Sequence, residues 1–525
     1  MFNISFSRLH LSKSNHCILF LVILLFVTDS TANAIICKNV KALTADKPLA
    51  GQMLKKRATY IVKTDIDLGG KTLFIPTNCR LSFEGGSLKN GTIVGNKTTL
   101  SGDVKCYANI KGTFKNKQFS TKWFTKDRNE LPKVISEILA TNVNEIIVSE
   151  GTWFVSETVE LRSSVVIRGE EGALIKVDRP KVNKPFSLFK TSGTVLSFDD
   201  NYRFTNITIK DLTFDENGSN ALGRTSIIYL CNAENVKILN CRFVDYAIDN
   251  YAEYVMAAIT LYNCRRCLIE SCYTEFLRMV SYGFCVNCTA RNNKGFNTPG
   301  TWLESCDGYG IQYEGNELHE NFFAGNSTIS QNSRNGIIRN NTIIVNGKEV
   351  DSMINIGHPS NKTYHNSGDG CIVERNTIKT EKSKGIIVWG DSKSKGVIIR
   401  NNYVYSGTKH AIFVSDAIPS IYIIDNELVG HDKNQVLVLV GAEYNEIRNN
   451  KITTSSCGIQ YTPIRVRRND YKGCAIVKGN VIDNGVGPKT GFTDDSYIDL
   501  DLNDCRFENN IISNSIKVQS QIRKE

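Results

Sequence analysis

Apolar residues in the second half of the chain recur at fixed distances from an asparagine. The segments GIIRNNTI (336–343), GVIIRNNYV (396–404) and NEIRNNKI (445–452) place one apolar residue three positions before the second asparagine and another two positions after it. Polar residues alternate with these apolar ones, and a period of two residues is typical of a β-strand that buries one face. The pattern therefore predicts short, half-buried strands that repeat along the chain.

Alignment on the second asparagine extends the repeat to twelve positions, which we call the anchor column. Its members are Leu212, Cys241, Cys272, Asn293, Asn316, Asn341, Asn376, Asn402, Asn426, Asn450, Asn480 and Asn510. Many neighbouring anchors are only about two dozen residues apart, which leaves no room for a long helix beside several strands. Because one such unit cannot bury its own apolar side, copies must stack, and the sequence predicts a solenoid of β coils.

The asparagines themselves have a predicted role at the bend of each coil. Equivalent residues in stacked coils lie about 4.8 Å apart, so the amide of one coil can bond to the amides of the coils above and below. An unpaired amide buried at such a bend would cost about 1 to 3 kcal/mol. We therefore predict an asparagine ladder that satisfies its own hydrogen bonds.

This pattern resembles the right-handed parallel β-helix of the pectin-lyase-like superfamily, over roughly residues 145–515. The superfamily includes polysaccharide lyases, polygalacturonases, epimerases and phage tailspikes. The resemblance implies an all-β fold, a right-handed parallel β-helix of about twelve or more coils, with a short amphipathic amino-terminal capping helix. Helical spacing of apolar residues in NELPKVISEILATN places that helix at about 129–142. The resemblance also implies a polysaccharide bound in a groove on the outside of the coils.

The first 34 residues are predicted to be a cleavable signal peptide. A basic start precedes an apolar run at 17–27, and Ala32-Asn33-Ala34 has the small-residue spacing of a cleavage site. A lipoprotein anchored through Cys37 is the alternative, but Ile36 is too bulky for a usual lipidation site. We therefore expect a secreted or periplasmic protein with a β-rich lead-in region at 35–128 and the β-helix at 129–525.

The net charge of +10 is modest for 525 residues. A mild positive excess favours anionic partners, which keeps an anionic polysaccharide among the alternatives. The excess falls short of the basic stripe expected of a nucleic-acid-binding protein. No apolar run is long enough to span a bilayer. The expected partner is a polysaccharide, with no nucleic acid and no membrane span.

Four of the sixteen cysteines have the spacing of a zinc ribbon: Cys264, Cys267, Cys285 and Cys288. The repeat accounts for half of this match, because Cys267 and Cys288 both fall five positions before an anchor, where other coils carry isoleucine or valine. Free cysteine in such a core position behaves as a small apolar residue. We therefore predict no metal ligand here; zinc and disulfides such as Cys264 with Cys285 are the alternatives. Calcium, required by some pectate lyases, also stays open.

Strand ends provide the first group of candidate catalytic residues. Aligning Gly357, Gly390, Asp416 and Gly441 at one level puts His358 and Asp391 on adjacent coils, with Asp416 one coil further. Groups on adjacent coils would lie about 5 Å apart, close enough for a carboxylate to shift the pKa of a histidine or for two acids to share a proton. Ordinary turn chemistry is the alternative for these residues.

A second group combines acids with aromatic residues, which suit the polar edges and apolar faces of sugar rings. Its predicted catalytic residues are Glu304 and Asp307. Its predicted substrate-binding residues, together with Trp389 before Gly390, are Trp302, Tyr309, His319, Glu320, Tyr254, Arg265 and Arg266. The two arginines could neutralise uronate carboxylates, and solvated turns are the alternative. A strand register ambiguous by one residue leaves open whether Trp302 or Glu304 points inward.

The motifs of known superfamily enzymes are missing. The chain has GHP at 357–359 and GHD at 430–432 where polygalacturonases carry Gly-His-Gly, and it has no Arg-Ile-Lys. The resemblance therefore implies a scaffold and a substrate class without any catalytic residue. The favoured hypothesis is an exported polysaccharide lyase or glycoside hydrolase. A non-catalytic glycan-binding or adhesin-like surface protein is the alternative, and a purely structural solenoid is the third.

Overall fold

The computed structural model describes most of the chain between residues 39 and 519. The described residues are 39–46, 49–178, 186–193, 202–218, 226–246, 257–321, 327–347, 349–357, 368–389, 394–415, 418–430, 432, 436–440, 442, 444–454, 457–461, 474–483, 497–500, 506–512 and 517–519.

Three long parallel sheets, here called A, B and C, run the length of the solenoid, and each coil contributes one strand to each sheet. Sheet A contains Gln118–Ser120, Glu145–Val148, Val165–Gly169, Ile207–Lys210, Lys237–Leu239, Leu268–Glu270, Thr289–Arg291, Gln312–Glu314, Ile337–Arg339, Ile372–Glu374, Val397–Arg400, Ser420–Ile424, Tyr444–Arg448, Cys474–Lys478 and Arg506–Glu508. Sheet B contains Gly151–Val155, Ala173–Val177, Thr213–Asp215, Arg242–Val244, Tyr273–Glu275, Lys294–Thr298, Glu317–Asn321, Thr342–Val345, Thr377–Thr380, Tyr403–Ser406, Glu427–Val429, Lys451–Thr453, Val481–Asp483 and Ile511–Ile512. Sheet C contains Val159–Glu160, Phe189–Lys190, Ile228–Cys231, Ala257–Tyr262, Arg278–Gly283, Leu303–Tyr309, Ser327–Arg334, Ser352–Ile356, Lys384–Val388, Ile412–Val414, Val436–Val440, Cys457–Tyr461, Tyr497–Leu500 and Lys517–Gln519. The protein is a right-handed parallel β-helix, as predicted.

The strand register confirms both apolar columns of the repeat. In sheet A the residues three before the anchors pair in unbroken succession, for example Ile338 with Val373 and Val373 with Ile399. In sheet B the residues two after the anchors do the same, for example Ile343 with Ile378. From Ile209 to Ile482 the side chains of these two columns point inward and are buried. The core is therefore a continuous stack that every coil extends.

The asparagine ladder is also confirmed, and it runs at the bend between sheets A and B from Asn293 to Asn510. At Asn402, for example, the amide nitrogen donates to Val373 O (2.9 Å) and to Asn426 Oδ1 (3.0 Å). Its Oδ1 accepts from the backbone N–H and the Nδ2 of Asn376 (3.0 and 2.9 Å). Both amide protons and both acceptor positions are thus used, so burial leaves nothing unpaired.

The residue before each anchor has its own conformational requirement. This position adopts a positive φ in every coil from Asp211 (58°) to Asn509 (52°), including Asn340 (56°) and Asn401 (57°). Asparagine, aspartate and glycine tolerate this left-handed region best, and most coils carry one of them here. The doubled asparagine of the RNN motif therefore combines a turn residue with a ladder residue.

The amino-terminal part of the described chain is a smaller, parallel β unit that leads into the coils. Its strands are Val40–Leu43, Thr59–Val62, Ile66–Asp67, Thr72–Phe74, Arg80–Phe83, Leu88–Gly102 and Cys106–Phe114, with one helical turn at Leu49–Gln52. A 3₁₀ turn at Thr121–Trp123 and a helix at Leu131–Leu139 follow. The helix buries its apolar side between Cys106–Phe114 and the first strands of sheets B and C. Sheet A already begins at Gln118, within the region predicted as lead-in.

Among the residues that the structure describes, none of the helices has the length and apolar character needed to cross a membrane.

Candidate functional site: the outer face of sheet C

The outer face of sheet C carries two parallel columns of side chains, which together we call the C face. Over nine successive coils the central column consists of Tyr229, Thr260, Ser281, Glu304, Ser330, Asn355, Ile387, Phe413 and Leu439. In the same register Glu160 and Lys190 precede these residues, and Gln460, Asp499 and Gln519 follow them. The flanking column consists of Cys231, Tyr262, Gly283, Cys306, Asn332, Gly357, Trp389 and Ser415. The inward neighbours of the central column, such as Leu303 and Ile354, are fully buried. Their burial fixes the outward direction of the central column, because side chains alternate along a strand.

Glu304 is the acid at the middle of the C face. It accepts a hydrogen bond from Arg278 Nη2 at 2.6 Å and a longer one from Ser281 Oγ at 3.2 Å, both from the preceding coil. Its side chain is 25% exposed, so one edge of the carboxylate remains accessible. The sequence left open whether Glu304 points inward or outward. In the structure it faces outward, and its two hydrogen bonds hold it in a fixed orientation.

Asp307 does not share this surface. It follows the outward Glu304 and Cys306 on the same strand, at a bend where its backbone takes a positive φ of 51°. The residue is only 3% exposed. Asp307 lies outside both columns of the C face, and its predicted catalytic role stays a prediction.

Beyond Glu304 the C face continues with buried, uncharged polar side chains. Ser330 is 7%, Asn332 2% and Asn355 6% exposed. Asn332 Nδ2 donates to Ser330 Oγ (3.1 Å), and Asn355 Nδ2 donates to Gly357 O (2.9 Å). The amide oxygens of both asparagines have no hydrogen-bond partner among the described residues. Buried polar atoms are normally paired, so these two orphan acceptors, in neighbouring columns of adjacent coils, make this surface a candidate for binding a ligand.

Aromatic pairs stand at both ends of this polar stretch. The rings of Tyr229 and Tyr262 lie 5.9 Å apart at one end, and those of Trp389 and Phe413 lie 5.3 Å apart at the other. Tyr262 and Trp389 are five coils apart, which corresponds to about 24 Å along the helix axis. Trp389, a predicted substrate-binding residue, lies on the C face and is partly exposed. The distance between Trp389 and Tyr262 gives room for several sugar units.

Trp302 was predicted to bind substrate, and the structure shows that this is wrong. Its indole is completely buried and donates from Nε1 to Thr274 Oγ1 at 2.8 Å. The ring fills the space left by Gly295, where an added Cβ would lie 2.5 Å from the indole. Trp302 is therefore part of the core between sheets B and C.

The segment 301–321, predicted as one cluster, is divided among different faces. Tyr309 lies at the bend between sheets C and A and is 47% exposed, with its hydroxyl accepting from Asn335 Nδ2 at 3.1 Å. His319 lies on the outer face of sheet B, where it stacks on Phe296 at 5.3 Å and contacts Glu317 Oε1 at 2.7 Å. The fold separates both residues from Glu304.

Glu320 and the two predicted arginines have partners within the protein. Glu320 accepts from the backbone N–H groups of Asn346 (3.3 Å) and Gly347 (3.0 Å) in the next coil, which gives it a structural task. Arg265 makes two hydrogen bonds to Glu234, at 3.0 and 3.1 Å, and Arg266 pairs with the same carboxylate. Because both arginines are already bonded to that carboxylate, they are weak candidates for binding uronates.

The alignment of strand ends is off by one residue. Sheet C pairs Ile356 with Val388, and Trp389 N donates to Ile356 O at 2.8 Å. Trp389 therefore stands level with Gly357, the place that the alignment gave to Gly390. His358, Asp391, Asp416 and Tyr254 lie outside the described residues, so their roles stay predictions.

The prediction that Cys267 and Cys288 point into the core is confirmed, since they are 2% and 0% exposed. Cys264 and Cys285 are equally buried, and Cys285 Sγ donates to Leu261 O at 3.2 Å. All four are free thiols. Within the described ranges, no group of three or more His, Cys, Asp or Glu residues is arranged to hold a metal ion.

A separate cavity of about 440 Å³ lies between the lead-in unit and the helix Leu131–Leu139. Its charged groups largely satisfy each other: Lys133 pairs with Glu130 at 2.9 Å, and Ser87 donates to Asp65 at 2.7 Å. Burial raises the pKa of Glu137 at its edge. With its polar groups paired in this way, the cavity is a weaker candidate than the C face.

The geometry defines a right-handed parallel β-helix protein with a polar and aromatic outer face. No protein-family profile and no curated protein sequence matches the chain. Similar solved structures include the A-module of the mannuronan C-5 epimerase AlgE6 of Azotobacter vinelandii (14% identity, 75% of this chain and 99% of the other, TM-score 0.46). Others are the surface adhesin PfbA of Streptococcus pneumoniae (12%, 78% and 96%, 0.43) and the tailspike of E. coli bacteriophage HK620 in complex with a pentasaccharide (12%, 75% and 78%, 0.47). These similarities are too distant to transfer the role of any residue.

Proposed function

We propose that the protein binds a polysaccharide along the C face and cleaves it, as a lyase or a glycoside hydrolase, with Glu304 at the reaction centre. The observation that carries this proposal is the arrangement of an oriented carboxylate and orphan amide acceptors between two aromatic pairs. Sugar rings present hydroxyl groups at their edges and apolar C–H faces, which match polar and aromatic side chains respectively. Glu304, held by Arg278 and Ser281, is the acid best placed to act on a proton or a glycosidic carbon.

The chemistry requires more than Glu304. Both glycosidase mechanisms use two carboxyl groups, about 5 to 5.5 Å apart for retention and about 6.5 to 9.5 Å apart for inversion, and a lyase requires a base that removes a proton beside a carboxylate. Between Tyr229 and Leu439 the described central and flanking columns hold no second carboxylate, so the second group must lie outside them, as Asp307 does. The predicted residues His358, Asp391 and Asp416 are the candidates to test.

The test is turnover of a panel of neutral and acidic polysaccharides by the purified chain. An unsaturated product that absorbs in the ultraviolet indicates elimination, whereas new reducing ends without that absorbance indicate hydrolysis. Glu304→Gln keeps the size of the side chain and removes its charge, so we expect turnover to fall by about 100-fold or more. Glu314→Gln on sheet A, where Glu314 pairs with Arg339 at 3.0 Å, is the matched control and should leave turnover unchanged. Full turnover in Glu304→Gln would contradict the assignment.

A glycan-binding protein without catalysis is the second candidate. It is favoured because Glu304 is the one carboxylate among the described residues of the central and flanking columns between Tyr229 and Leu439. In that case polysaccharides would bind without any product, and Glu304→Gln would change affinity by less than about tenfold. The product assay and a binding assay on the same panel separate the two candidates.

A further inference from the structure

The chemistry of the C face bears on the charge of the polysaccharide, a question that builds on the function proposed above. Its orphan groups are acceptors. Asn355 Nδ2 donates to Gly357 O, and a backbone carbonyl can only accept. This contact fixes the orientation of the amide, so the unpaired atom of this nearly buried side chain is its oxygen. A ligand that satisfies Asn355 must bring a hydrogen-bond donor.

The neighbouring groups have the same preference. Glu304 presents the accessible edge of a carboxylate one column position from Ser330 and two from Asn355. A carboxylate is also an acceptor. The surface around the orphan oxygens is thus rich in acceptors.

The positive charges closest to the central column are already neutralised. Arg278 pairs with Glu304 at 2.6 Å, and Lys384 pairs with Asp351 Oδ1 at 3.0 Å. The carboxylate of a uronate, like a sulfate group, brings only acceptors, so next to Glu304 and the amide oxygens it would find neither a donor nor a free cation. Two exposed cations, Arg334 and Lys395 at the bend between sheets C and A, have no salt bridge to a described residue, but they lie off both columns.

We infer that the C face accepts a neutral glycan, in which hydroxyl or acetamido N–H groups donate to Asn355 Oδ1, Asn332 and Glu304, and that it disfavours acidic polysaccharides. Of the two reactions in the proposed function, this inference selects hydrolysis, because a lyase acts beside the carboxylate of a uronate. This inference differs from the anionic polysaccharide that the net charge kept among the alternatives. Net charge reports the whole surface, whereas recognition depends on the groups that contact the ligand.

The experiment compares the affinity of the full chain for galactomannan, xylan and chitin oligosaccharides with its affinity for polygalacturonate and alginate, at low and high salt. We expect a neutral polymer to bind at least tenfold more tightly than either acidic one, with little dependence on salt. Asn355→Leu replaces the amide by an apolar group of similar volume. It should weaken binding of the neutral polymer about tenfold while the thermal unfolding midpoint stays the same or rises, since an orphan acceptor is removed. A residue with a merely structural role would not show this combination.

The double variant Arg334→Ala with Lys395→Ala is the control and should leave binding of neutral glycans unchanged. If Asn355→Leu fails to fold, Asn332→Leu in the flanking column makes the same test. The inference is overturned if an acidic polymer binds most tightly and loses affinity with salt and in the double variant, although the proposed function would survive that result. Absence of binding to every polymer would instead refute the proposed function, and the inference with it.

Discussion

The outer faces of sheets A and C are built from the same coils and differ in how their polar groups are paired. On sheet A, six successive coils place charges of alternating sign in one column: Glu270, Arg291, Glu314, Arg339, Glu374 and Arg400. Salt bridges join Glu270 to Arg291 (2.7 Å) and Glu374 to Arg400 (2.7 Å). At the corresponding level of sheet C stand Ser330 and Asn355, uncharged and nearly buried, with the amide oxygen of Asn355 unpaired.

On the outer face of sheet A the charged side chains pair with one another, whereas on the C face two amide oxygens have no partner among the described residues. The charges of sheet A neutralise one another, and its column leaves one buried donor unpaired, Arg339 Nε. The C face retains two uncharged acceptors without a partner at a cost to stability, and such groups call for an explanation, of which a bound ligand is one. Pairing within a column, more than polarity itself, therefore distinguishes the structural face from the candidate binding face.

The largest effect is expected at the asparagine ladder. The ladder aligns the coils, so its loss would disturb the outer faces of sheets A and C together. Asn402→Leu would remove two donors and two acceptors and leave Val373 O and the amide of Asn376 unpaired in the core. We expect a loss of about 3 to 5 kcal/mol in the free energy of unfolding, measured by equilibrium denaturation. Asn510→Leu, at the half-exposed last rung, is the control and should cost much less. Equal losses at both positions would mean that the ladder does not act through buried amides.

The next effect distinguishes the two faces. Trp389→Ala removes the partly exposed indole at one end of the C face, and we expect about a 10- to 30-fold loss of glycan affinity, or about 1.4 to 2 kcal/mol. Tyr422→Ala is the control on sheet A, where Tyr422 lies 6.0 Å from Tyr444 in a similar aromatic pair. Affinity should be unchanged there. Titration calorimetry with the tightest glycan of the panel measures both, and an equal loss at the two sites would show that the C face is not the binding surface.

Sequence reasoning predicted the solenoid well because its signal is repeated. Each anchor fixes two apolar columns, and an error in one coil would be visible against the others. Every coil from Leu212 to Asn510 has the register that the repeat predicts, for instance Leu428 beside Ile452. Because the same pattern recurs in twelve coils, each coil checks the register of the others, and the solenoid of β coils could be derived from the pattern alone.

The bends between sheets were harder to predict, because the alternation of strands fails there. Trp302 and Leu303 are consecutive and both buried, which no period of two allows. A signal was nevertheless present: Thr274 and Gly295 interrupt a column of Phe, Leu and Ile with small residues, and the indole of Trp302 fills that gap. Small residues in an inward column therefore indicate that a large side chain from elsewhere in the coil, here Trp302, fills the space beside them.

The polar part of the candidate site was missed for a different reason. Charged and aromatic residues indicate possible chemistry in a sequence. The serines and asparagines of STISQNSR (327–334) and SMINI (352–356) have the composition of ordinary strand residues. Their significance depends on burial and on missing hydrogen-bond partners, which only coordinates reveal. The strand ends were misaligned because loops of unequal length follow them, so residues within the strands are the reliable reference.

The smallest effect tests whether pairing really accounts for sheet A. Arg400 donates to Glu374 from Nε at 2.8 Å and from Nη2 at 2.7 Å, and the carboxylate side chain is only 8% exposed. Arg400→Ala would leave that carboxylate without its closest cation, and we expect a loss of about 1 kcal/mol in the free energy of unfolding. Lys451→Ala is the control, because its pair with Glu427 at 2.7 Å is exposed on both sides (65% and 44%) and should contribute less than about 0.5 kcal/mol. Denaturation at low and high salt measures both. If the two variants lose the same small amount, the alternating column is only a solvated surface, and the contrast with the C face would then rest on the orphan acceptors alone.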